Sequence, residues 1–441
     1  MREMKDSGIE WIDEIPLDWT AKPLKWMVKF GKGLPITKDN LIEQGIPVVS
    51  YGQIHSKTND GTHLRDDLIR FVSEAYLESN PLSLGKKGDI FFADTSEDYA
   101  GIGNAVLVDI DTPVFAGYHT VIVRPDDQSY SRYLAYLFLT DAWRSQLCSE
   151  ASGIKVFSIT QGLLKKTTVI LPPAEKAVAM TDYLDRKCSQ IDAIIARQQE
   201  VIEKLKAYKL SVITEAVTKG LNPNVPMKDS GVEWIGEIPE HWEIRRIGSF
   251  ARVTSSKRIF EESYVDEGVP FYRSKEITDL SKGLHLQTEI FIPEEVFEQV
   301  NEASPAPKCG DILLTSIGTI GNTWISDGRK FYYKDGNITQ IEANDSFDSA
   351  YVEYCFSSNV VLEQYTRLAM GSTLLALTII KIKKILVAFP PLDEQRKIVQ
   401  YLKLKYSSID AAIKNKENLI TKLADYKKSL IYEVVTGKKE V

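Results

Sequence analysis

A sixteen-residue segment occurs twice in this chain of 441 residues, and that duplication constrains the fold more than any other feature. Residues 4–19 read MKDSGIEWIDEIPLDW, and residues 227–242 read MKDSGVEWIGEIPEHW. Further matches follow in the same order: Gly45-Ile46-Pro47-Val48 with Gly268-Val269-Pro270-Phe271, Gly88-Asp89-Ile90 with Gly310-Asp311-Ile312, Leu171-Pro172-Pro173 with Phe389-Pro390-Pro391, and 205–220 with 423–438. The offset between matched positions drifts only from 223 to 218. The sequence therefore predicts one structural unit repeated in tandem.

The two copies are unevenly alike. Their opening and closing segments match closely, whereas residues 20–155 and 243–372 share only short anchors such as Gly-Asp-Ile and Ile-Gly-Asn. This pattern predicts a duplicated scaffold that carries two diverged domains. We expect the scaffold to meet two identical partners while each diverged domain meets a different ligand.

Composition limits the class of protein. The length exceeds what a single core supports, and no apolar run approaches the roughly 18 to 20 residues of a membrane span. The first residues lead to no apolar signal segment, so we expect a cytoplasmic protein without a membrane partner. The net charge of -7 argues mildly against indiscriminate nucleic-acid binding, although it permits a local basic face.

Sequence signatures of catalysis are missing. The four cysteines are widely scattered and the five histidines have neither metal-ligand nor catalytic-triad spacing. No phosphate-binding glycine loop, dinucleotide fingerprint or Asn/Asp-Pro-Pro-aromatic methyltransferase motif occurs. We therefore expect no catalytic residue, no metal and no cofactor, and a chain that is not an enzyme by itself.

Two stretches without glycine or proline, 174–219 and 392–436, predict two long helices. A Pro-Pro pair precedes each stretch, and Gly220 or Gly437 follows it. A helix of about 45 residues is roughly 68 Å long.

Apolar residues recur in these stretches at steps of three and four, as in a coiled-coil seam. Two unrelated core helices would be the simpler alternative, but the matched register favours helices that pack on each other, antiparallel and related by a pseudo-twofold axis. The predicted pairing residues are Leu184, Ile191, Ile195, Gln198, Ile202 and Leu205 in the first helix, and Leu402, Ile409, Ile413, Lys416, Ile420 and Leu423 in the second.

The diverged regions predict two compact α/β domains. Strand-like runs occupy 47–51, 89–92, 105–108 and 120–123 in the first, and 270–272, 311–315, 323–325 and 338–341 in the second. Helical runs occupy 131–150 and 349–370. The predicted fold class is thus mixed α+β, with two α/β domains separated by two long antiparallel coiled-coil helices.

Polar side chains cluster directly after several of these strands, where a rigid scaffold commonly presents a binding loop. Such side chains can read base edges, although any single one could equally be an ordinary solvated loop residue. The clusters recur at equivalent places in both copies with different chemistry, which favours two readers of different sequences. The candidate DNA-binding residues are Ser50, Tyr51, Gln53, His55, Thr95, Ser96, Tyr99, Tyr118 and His119 in the first copy, and Tyr272, Arg273, Ser274, Lys275, Thr315, Ser316, Thr319 and Asn337 in the second.

Along its whole length the chain resembles the specificity subunits of type I restriction-modification systems. The matching motifs are the Trp-Ile-x-Glu-Ile-Pro-x-x-Trp segments at 11–19 and 234–242, the Pro-Pro-Leu-Asp-Glu-Gln run at 390–395, and the Leu-x-x-Tyr-x-x-Ser-Leu/Val-Ile tails at 205–213 and 423–431. The first copy departs from the pattern at 174–177, where Ala-Glu-Lys-Ala replaces Leu-Asp-Glu-Gln. This departure questions whether both helix starts make identical partner contacts.

The resemblance implies target-recognition domains at 1–157 and 226–375, each reading one half of a split site in double-stranded DNA. It implies long-helix regions at 158–225 and 376–441, which hold the readers apart and bind two methyltransferase subunits. A restriction subunit, a translocase and nuclease, can join. Adenine methylation and cleavage then come from these partners.

Two alternatives remain at this point. A protein-interaction scaffold with two peptide-binding α/β domains would show the same repeat, and sequence-selective capture of duplex DNA would eliminate it. A reader with its own methyltransferase lacks the expected motif.

Overall fold

The computed structural model describes residues 3–151, 156–286, 288–317, 320–369 and 376–441. The chain forms two compact units. Unit 1 comprises Met1–Gln198 with Asn418–Val441, and unit 2 comprises Gln199–Glu417. Each unit therefore holds one diverged region together with part of each long helix.

The two predicted long helices are confirmed at Ala174–Lys219 and Leu392–Val435. The first ends at the predicted residue and the second ends one residue early. Gly220 and Gly437 follow the helices with φ of 75° and 72°, a left-handed conformation that ends a helix and that glycine adopts without a steric cost.

In unit 1 the end of the second long helix lies beside the start of the first. The buried Tyr133 hydroxyl lies 2.9 Å from the Ile170 carbonyl oxygen, just before the first helix, and 2.8 Å from that of Val435. Farther along the pair, Lys427 Nζ bonds both carboxylate oxygens of Asp192 at 2.8 and 2.7 Å. This order of contacts makes the helices antiparallel.

Unit 2 repeats the arrangement with equivalent residues. The Tyr351 hydroxyl lies 3.2 Å from the Val217 carbonyl oxygen and 2.8 Å from that of Ala388. Lys209 Nζ bonds Asp410 at 2.6 Å, farther along the same pair of helices. Equivalent residues thus make equivalent contacts in both copies, as expected for a duplicated unit.

The α/β domain of unit 1 contains two four-stranded sheets. In the first, entirely antiparallel, the strand order is Ala105–Leu107, Ile90–Ala93, Thr120–Pro125, Val28–Lys32. In the second the order is Arg70–Val72, Ile46–Val49, Val114–Ala116, Leu84–Gly85, with a parallel central pair. The remaining strands are Met4–Asp6, Glu14–Pro16, Thr20–Pro23, Thr95–Ser96, Phe157–Ser158 and Thr168–Leu171; the helices are Tyr51–Ile54, Tyr76–Ser79, Ser131–Phe138, Asp141–Cys148 and Gln161–Lys166.

Unit 2 has a similar mixed domain. A four-stranded sheet has the order Val253–Thr254, Ile338–Ile341, Ile312–Thr315, Thr323–Ile325, and a three-stranded sheet has the order Phe291–Ile292, Val269–Tyr272, Tyr332–Tyr333. The remaining strands are Met227–Asp229, Glu237–Pro239, Glu243–Arg246 and Leu386–Phe389; the helices are Ile247–Phe250, Ser274–Ser281, Glu294–Ala303, Ser349–Phe356, Asn359–Ala369 and Ile379–Lys384.

Each predicted helical run contains two helices rather than one. In unit 1 the chain becomes extended at Thr140, whose side chain accepts a hydrogen bond from the Trp143 amide and so caps a new helix. In unit 2 the Ser358 hydroxyl bonds the Cys355 carbonyl oxygen at 2.6 Å where the first helix ends. Met370, the predicted end of the second run, lies outside the described residues. In the described ranges, no helix combines the length and apolar character needed to cross a membrane.

Candidate nucleic-acid interface

In unit 1 the predicted strand-end loops meet at one open cleft of about 690 Å³. Its lining includes Tyr51, His55, Thr95, Ser96 and His119 from the candidate set. The loops at Tyr51 and His119 follow the paired strands Ile46–Val49 and Val114–Ala116, and the loop at Thr95 follows Ile90–Ala93 of the other sheet, which pairs with the strand that begins after His119. The cleft also includes Lys57 and Asn104, which sequence reasoning missed. Glu97 and Asp98, which lie in one of the predicted polar clusters but were not among the candidates, line it too.

His55 is held rigidly at the cleft wall. Arg144 Nη1 donates to Asn104 Oδ1 at 2.9 Å, which orients the Asn104 amide so that its Nδ2 donates to His55 Nδ1 at 3.1 Å. His55 Nε2 then donates to the Thr95 carbonyl oxygen at 2.8 Å. Both ring nitrogens are therefore engaged within the unit, and His55 offers a ligand only the face of its ring.

His119 is an exposed side chain on a backbone with φ of 54°, which is uncommon for a residue other than glycine. Its Nδ1 lies 3.1 Å from Asp94 Oδ1, and its carbonyl oxygen accepts from the Asp94 amide at 3.0 Å. The ring also packs edge-on against Tyr51, with centroids 5.4 Å apart. These contacts fix the ring and leave Nε2 available.

A second cleft of about 480 Å³ shares His119 with the first. It is lined by Tyr118, Lys32 and Gln161, among others. His119 therefore stands on the rim common to both clefts. Neither Lys32 nor Gln161 was a sequence candidate, because their proximity to His119 depends on the sheet and on the helix that begins at Gln161.

Tyr99 provides an aromatic surface at the same site. Its side chain is 61% exposed, and its ring packs against that of Phe157 at an angle of 55°, with centroids 4.5 Å apart. A base can stack on such an exposed ring.

Two unit 1 candidates are buried. Ser50 is 1% exposed, and its backbone amide donates to Gln53 Oε1 at 3.2 Å, at the start of the short helix. The Ser96 hydroxyl donates to the Asp98 carbonyl oxygen at 2.7 Å. The Ser96 side chain thus holds the shape of its loop, whereas the buried Ser50 hydroxyl has no hydrogen-bond partner among the described residues. The surface that remains open to a ligand comes from their neighbours.

In unit 2 the candidate Arg273 is committed to an internal ion pair. Its guanidinium donates to both oxygens of the buried Glu276 carboxylate, with Nη2 to Oε1 at 2.8 Å and Nε to Oε2 at 3.3 Å. Burial alone would raise the pKa of Glu276, but the hydrogen bonds from Arg273 hold it below its ordinary value. Neighbouring Tyr272 is also buried and stacks on Phe331, with centroids 4.6 Å apart. Ser274 and Lys275 follow at the start of the helix, where Lys275 is exposed.

The remaining unit 2 candidates lie at the ends of the central strands. Thr315 and Ser316 are buried, and the Ser316 hydroxyl bonds that of Thr339 at 2.7 Å. The Ser316 amide donates to the Asn337 carbonyl oxygen at 2.7 Å, as the Asp94 amide does to His119 in unit 1. Asn337 therefore occupies the turn equivalent to that of His119. Thr319 lies outside the described residues.

The predicted helix-pairing residues lie on the inner sides of the long helices to different depths. Leu184, Ile191, Ile202, Leu402 and Ile409 are buried, whereas Ile195, Gln198, Leu205, Ile413, Lys416, Ile420 and Leu423 are partly buried. Leu184, Ile191, Ile195 and Leu423 join the core of unit 1, and Leu402 joins that of unit 2.

The family of the chain is established by its match to known proteins. Residues 16–204 and 239–422 each match the type I restriction modification DNA specificity domain. The chain belongs to this family. Nowhere in the described ranges do three or more His, Cys, Asp or Glu side chains gather as a metal site.

Relatives of full length carry the same assignment. The chain is 24% identical to a putative type I restriction enzyme MjaX specificity subunit of Methanocaldococcus jannaschii, over 97% of this chain and 95% of the relative. It is 20% identical to the type I restriction enzyme EcoKI specificity subunit of Escherichia coli K12, over 96% of this chain and 90% of the relative. These relatives support DNA recognition and give no support to a peptide-binding scaffold.

Solved structures show the same fold. A chain from a study of complex assembly and conformational transition of the type I R-M system has a TM-score of 0.70 at 17% identity, covering 96% of this chain and 98% of that one. The HsdS subunit of Thermoanaerobacter tengcongensis has a TM-score of 0.52 at 17% identity, with the same coverage of both chains.

Proposed function

We propose that this chain reads a bipartite site in double-stranded DNA, with one half-site read by each unit. Two methyltransferase subunits bound to it methylate adenine, and restriction subunits that join the complex cleave DNA. The chain itself contributes recognition and no catalytic group, and it acts in the cytoplasm. Its recognition domains are 1–157 and 226–375, and its long-helix regions are 158–225 and 376–441.

One observation carries this proposal: the same turn presents different chemistry in the two units. The backbone of His119 and that of Asn337 are held by equivalent hydrogen bonds, yet one side chain is an imidazole and the other an amide. A carboxamide can donate to and accept from an adenine edge at once, which an imidazole nitrogen cannot do. Two readers built on one backbone and aimed at different bases require this difference.

The side chains proposed to touch DNA are the accessible ones. In unit 1 these are Tyr51, Tyr99, Tyr118 and His119; in unit 2 they are Lys275 and Asn337, since the Ser274 hydroxyl is buried. The buried candidates and the internally paired His55 and Arg273 fix the loops that carry them.

The partner contacts are proposed to be made by the duplicated scaffold. Each unit presents a closely matched opening segment beside the end of one long helix and the start of the other. Two copies of one methyltransferase can therefore dock in equivalent ways, one on each unit.

The test is to map methylated adenines in the source genome with the chain intact, deleted, or carrying His119→Ala or Asn337→Ala. We expect deletion to abolish one split motif, and each substitution to relax one half-site while leaving the other unchanged. Asn222→Ala, in the exposed connection after the first long helix, is the control and should change neither half. Methylation that keeps both half-sites in both variants would refute the assignment of these readers.

A further inference from the structure

Four positions carry a cation in both units, although the surrounding sequences differ. Lys22, Lys29, Lys165 and Lys166 of unit 1 align with Arg245, Arg252, Lys383 and Lys384 of unit 2. All are exposed except Arg245, which is partly buried. The first two positions of each set lie in regions where the copies otherwise share only short anchors, so retention of the charge there needs a physical reason.

In unit 1 the fold gathers these cations into one patch. The helix Gln161–Lys166 packs on the turn at Leu24–Trp26 that separates Lys22 from Lys29. The Leu24 amide donates to the Thr167 carbonyl oxygen at 2.8 Å after the helix, and Gln161 Nε2 donates to the Gly31 carbonyl oxygen at 3.0 Å at its start. Both ends of the helix are thereby tied to the strand region that carries the other two lysines.

Unit 2 builds the same patch. The helix Ile379–Lys384 packs on Ile247–Phe250, and the Ile247 amide donates to the Ile385 carbonyl oxygen at 2.9 Å. The approach is close: a Cβ on Gly248 would lie 2.8 Å from Lys383 Cβ. Glycine at this position lets the lysine-bearing helix lie directly on the turn.

Both patches keep excess positive charge after internal pairing. In unit 1, Lys166 pairs with Glu150 at 2.6 Å and Lys29 with Asp126 at 3.7 Å. In unit 2, Arg245 pairs with Glu243 at 2.8 Å and Arg252 with Glu342 at 3.5 Å. No carboxylate in the described parts of the chain pairs with Lys22, Lys165, Lys383 or Lys384. Surface pairs of this kind stabilise little, so even the paired cations are available to a competing anion.

The unit 1 patch continues into the recognition surface. Gln161, the first residue of the lysine-bearing helix, and Lys32 line the cleft whose rim is His119. Cations beside a base-reading side chain are placed where the backbone of a bound duplex runs. In a chain of net charge -7, this local excess indicates a polyanionic ligand.

We propose that the two basic patches bind DNA phosphates next to the half-sites and set the position of each unit on the duplex. This inference rests on the proposed function. Phosphate contacts carry no sequence information, so the same cations can serve two units that read different bases.

The experiment uses the complex of this chain with its methyltransferase partner, binding duplexes with the mapped site or a scrambled site over a range of salt concentrations. The variants are K165Q/K166Q and K383Q/K384Q. We expect each lost phosphate contact to reduce the slope of log affinity against log salt by about 0.9, which is roughly a fivefold loss at about 0.15 M salt. The loss should be equal on both duplexes, and the methylated motif should be unchanged.

K204Q/K206Q is the matched control, since it removes two exposed lysines from the first long helix and should leave the slope unchanged. An unchanged salt slope in the patch variants would overturn the inference. If the slope is unchanged and the variants also assemble less well with the methyltransferase, the patch is a protein-docking face. Failure of the unaltered complex to prefer the mapped duplex would instead refute the proposed function.

Discussion

The contact between the opening segment and the start of the long helix places the acidic side chain on opposite partners in the two units. In unit 1, Asp18 near the end of the opening segment accepts from Lys176 Nζ at 2.7 Å. In unit 2 the equivalent positions hold His241 and Glu394, whose Nε2 and Oε1 lie 2.8 Å apart. Duplication has preserved the contact between opening segment and helix start, while the acid and the base have changed places.

The exchange gives each opening segment a matching helix start. A crossed arrangement would put Asp18 against Glu394 and so bring like charges together. Specificity comes both from attraction in the correct pairing of segment and helix and from repulsion in the wrong pairing. Lys176, one of the residues that depart from the pattern at 174–177, therefore has a structural role within unit 1.

The largest expected effect tests what the two units share. Trp19 and Trp242 close equivalent cores and are almost completely buried. Replacing either by alanine should lower the free energy of unfolding by about 3 to 5 kcal/mol, since it leaves a large cavity. Denaturant unfolding, with hydrogen exchange to locate the weakened unit, measures this. A loss below about 1 kcal/mol would show that the segment does not close the core.

The next largest effect is a pH dependence of folding stability that is expected in unit 2 and not at the equivalent position of unit 1. Burial raises the pKa of Glu353 from 4.5 to about 7, against a hydrogen bond from Thr323 and the charge of Lys403 that lower it. Unit 1 has Ala135 at this position. The folded state holds this proton more tightly than the unfolded state, so the contribution of Glu353 favours folding at low pH. That contribution is lost as pH rises from about 4.5 through about 7.

Glu353→Ala should therefore stabilise unit 2 by up to about 2 to 3 kcal/mol at pH 8 and much less at pH 5. Unfolding by guanidinium at both pH values measures the difference, and Ala135→Ser in unit 1 is the control for a pH-independent change. An equal effect of Glu353→Ala at the two pH values would contradict the burial argument.

A smaller effect compares the tyrosines that join helix and strand. Tyr133→Phe and Tyr351→Phe each remove one hydroxyl whose single proton is shared between two buried carbonyl oxygens. Each change should cost about 1 to 2 kcal/mol, because carbonyl groups lose a donor where water has little access. The two losses in the free energy of unfolding, measured in urea, should agree closely. A large difference would show that the two tyrosines occupy equivalent positions without contributing equally to stability.

The smallest effect concerns the reversed ion pairs themselves. Lys176→Glu should cost under about 1 kcal/mol because the pair is exposed, and the exchange D18K/K176D should restore most of the loss. Glu394→Lys should cost more, since Glu394 Oε2 also accepts from Trp242 Nε1 at 2.8 Å. Thermal unfolding of the three variants measures the order of the losses, and no rescue by the exchange would argue against a matched pair.

Sequence reasoning reached the elements whose signals are local. The long helices were predictable because glycine and proline bound long uninterrupted stretches, and strands such as Thr323–Ile325 and Ile338–Ile341 were predicted with their observed bounds. The break at Thr140 was missed, since an apolar period continues through it while the cap requires only one side chain.

The candidate site was less predictable because it depends on distant contacts. Nothing local in the sequence shows that Ser50 is buried. The pairing of Arg273 with Glu276, three residues apart at a helix start, was a local signal that was missed. The pairing of Asp94 with His119 and of Lys176 with Asp18 joins residues far apart in the chain, and only the folded sheet and helices bring them together.

The helix-ending glycines carry a consequence for chain connectivity. In unit 1, Gly437 packs on Pro16 and Trp19, and the Glu3 carbonyl oxygen accepts a hydrogen bond from the Leu17 amide. In unit 2, Gly220 packs on Trp242 and Pro239, and the Pro226 carbonyl oxygen accepts one from the Glu240 amide. The five residues 221–225 connect Gly220 to Pro226, that is, the end of the first long helix to the opening segment of unit 2. A link of that length from Gly437 to Glu3, with the chain opened within 221–225, would keep these contacts in both units. We therefore expect the order in which the two readers are encoded to be interchangeable, so that a circular permutant folds and recognises the same DNA.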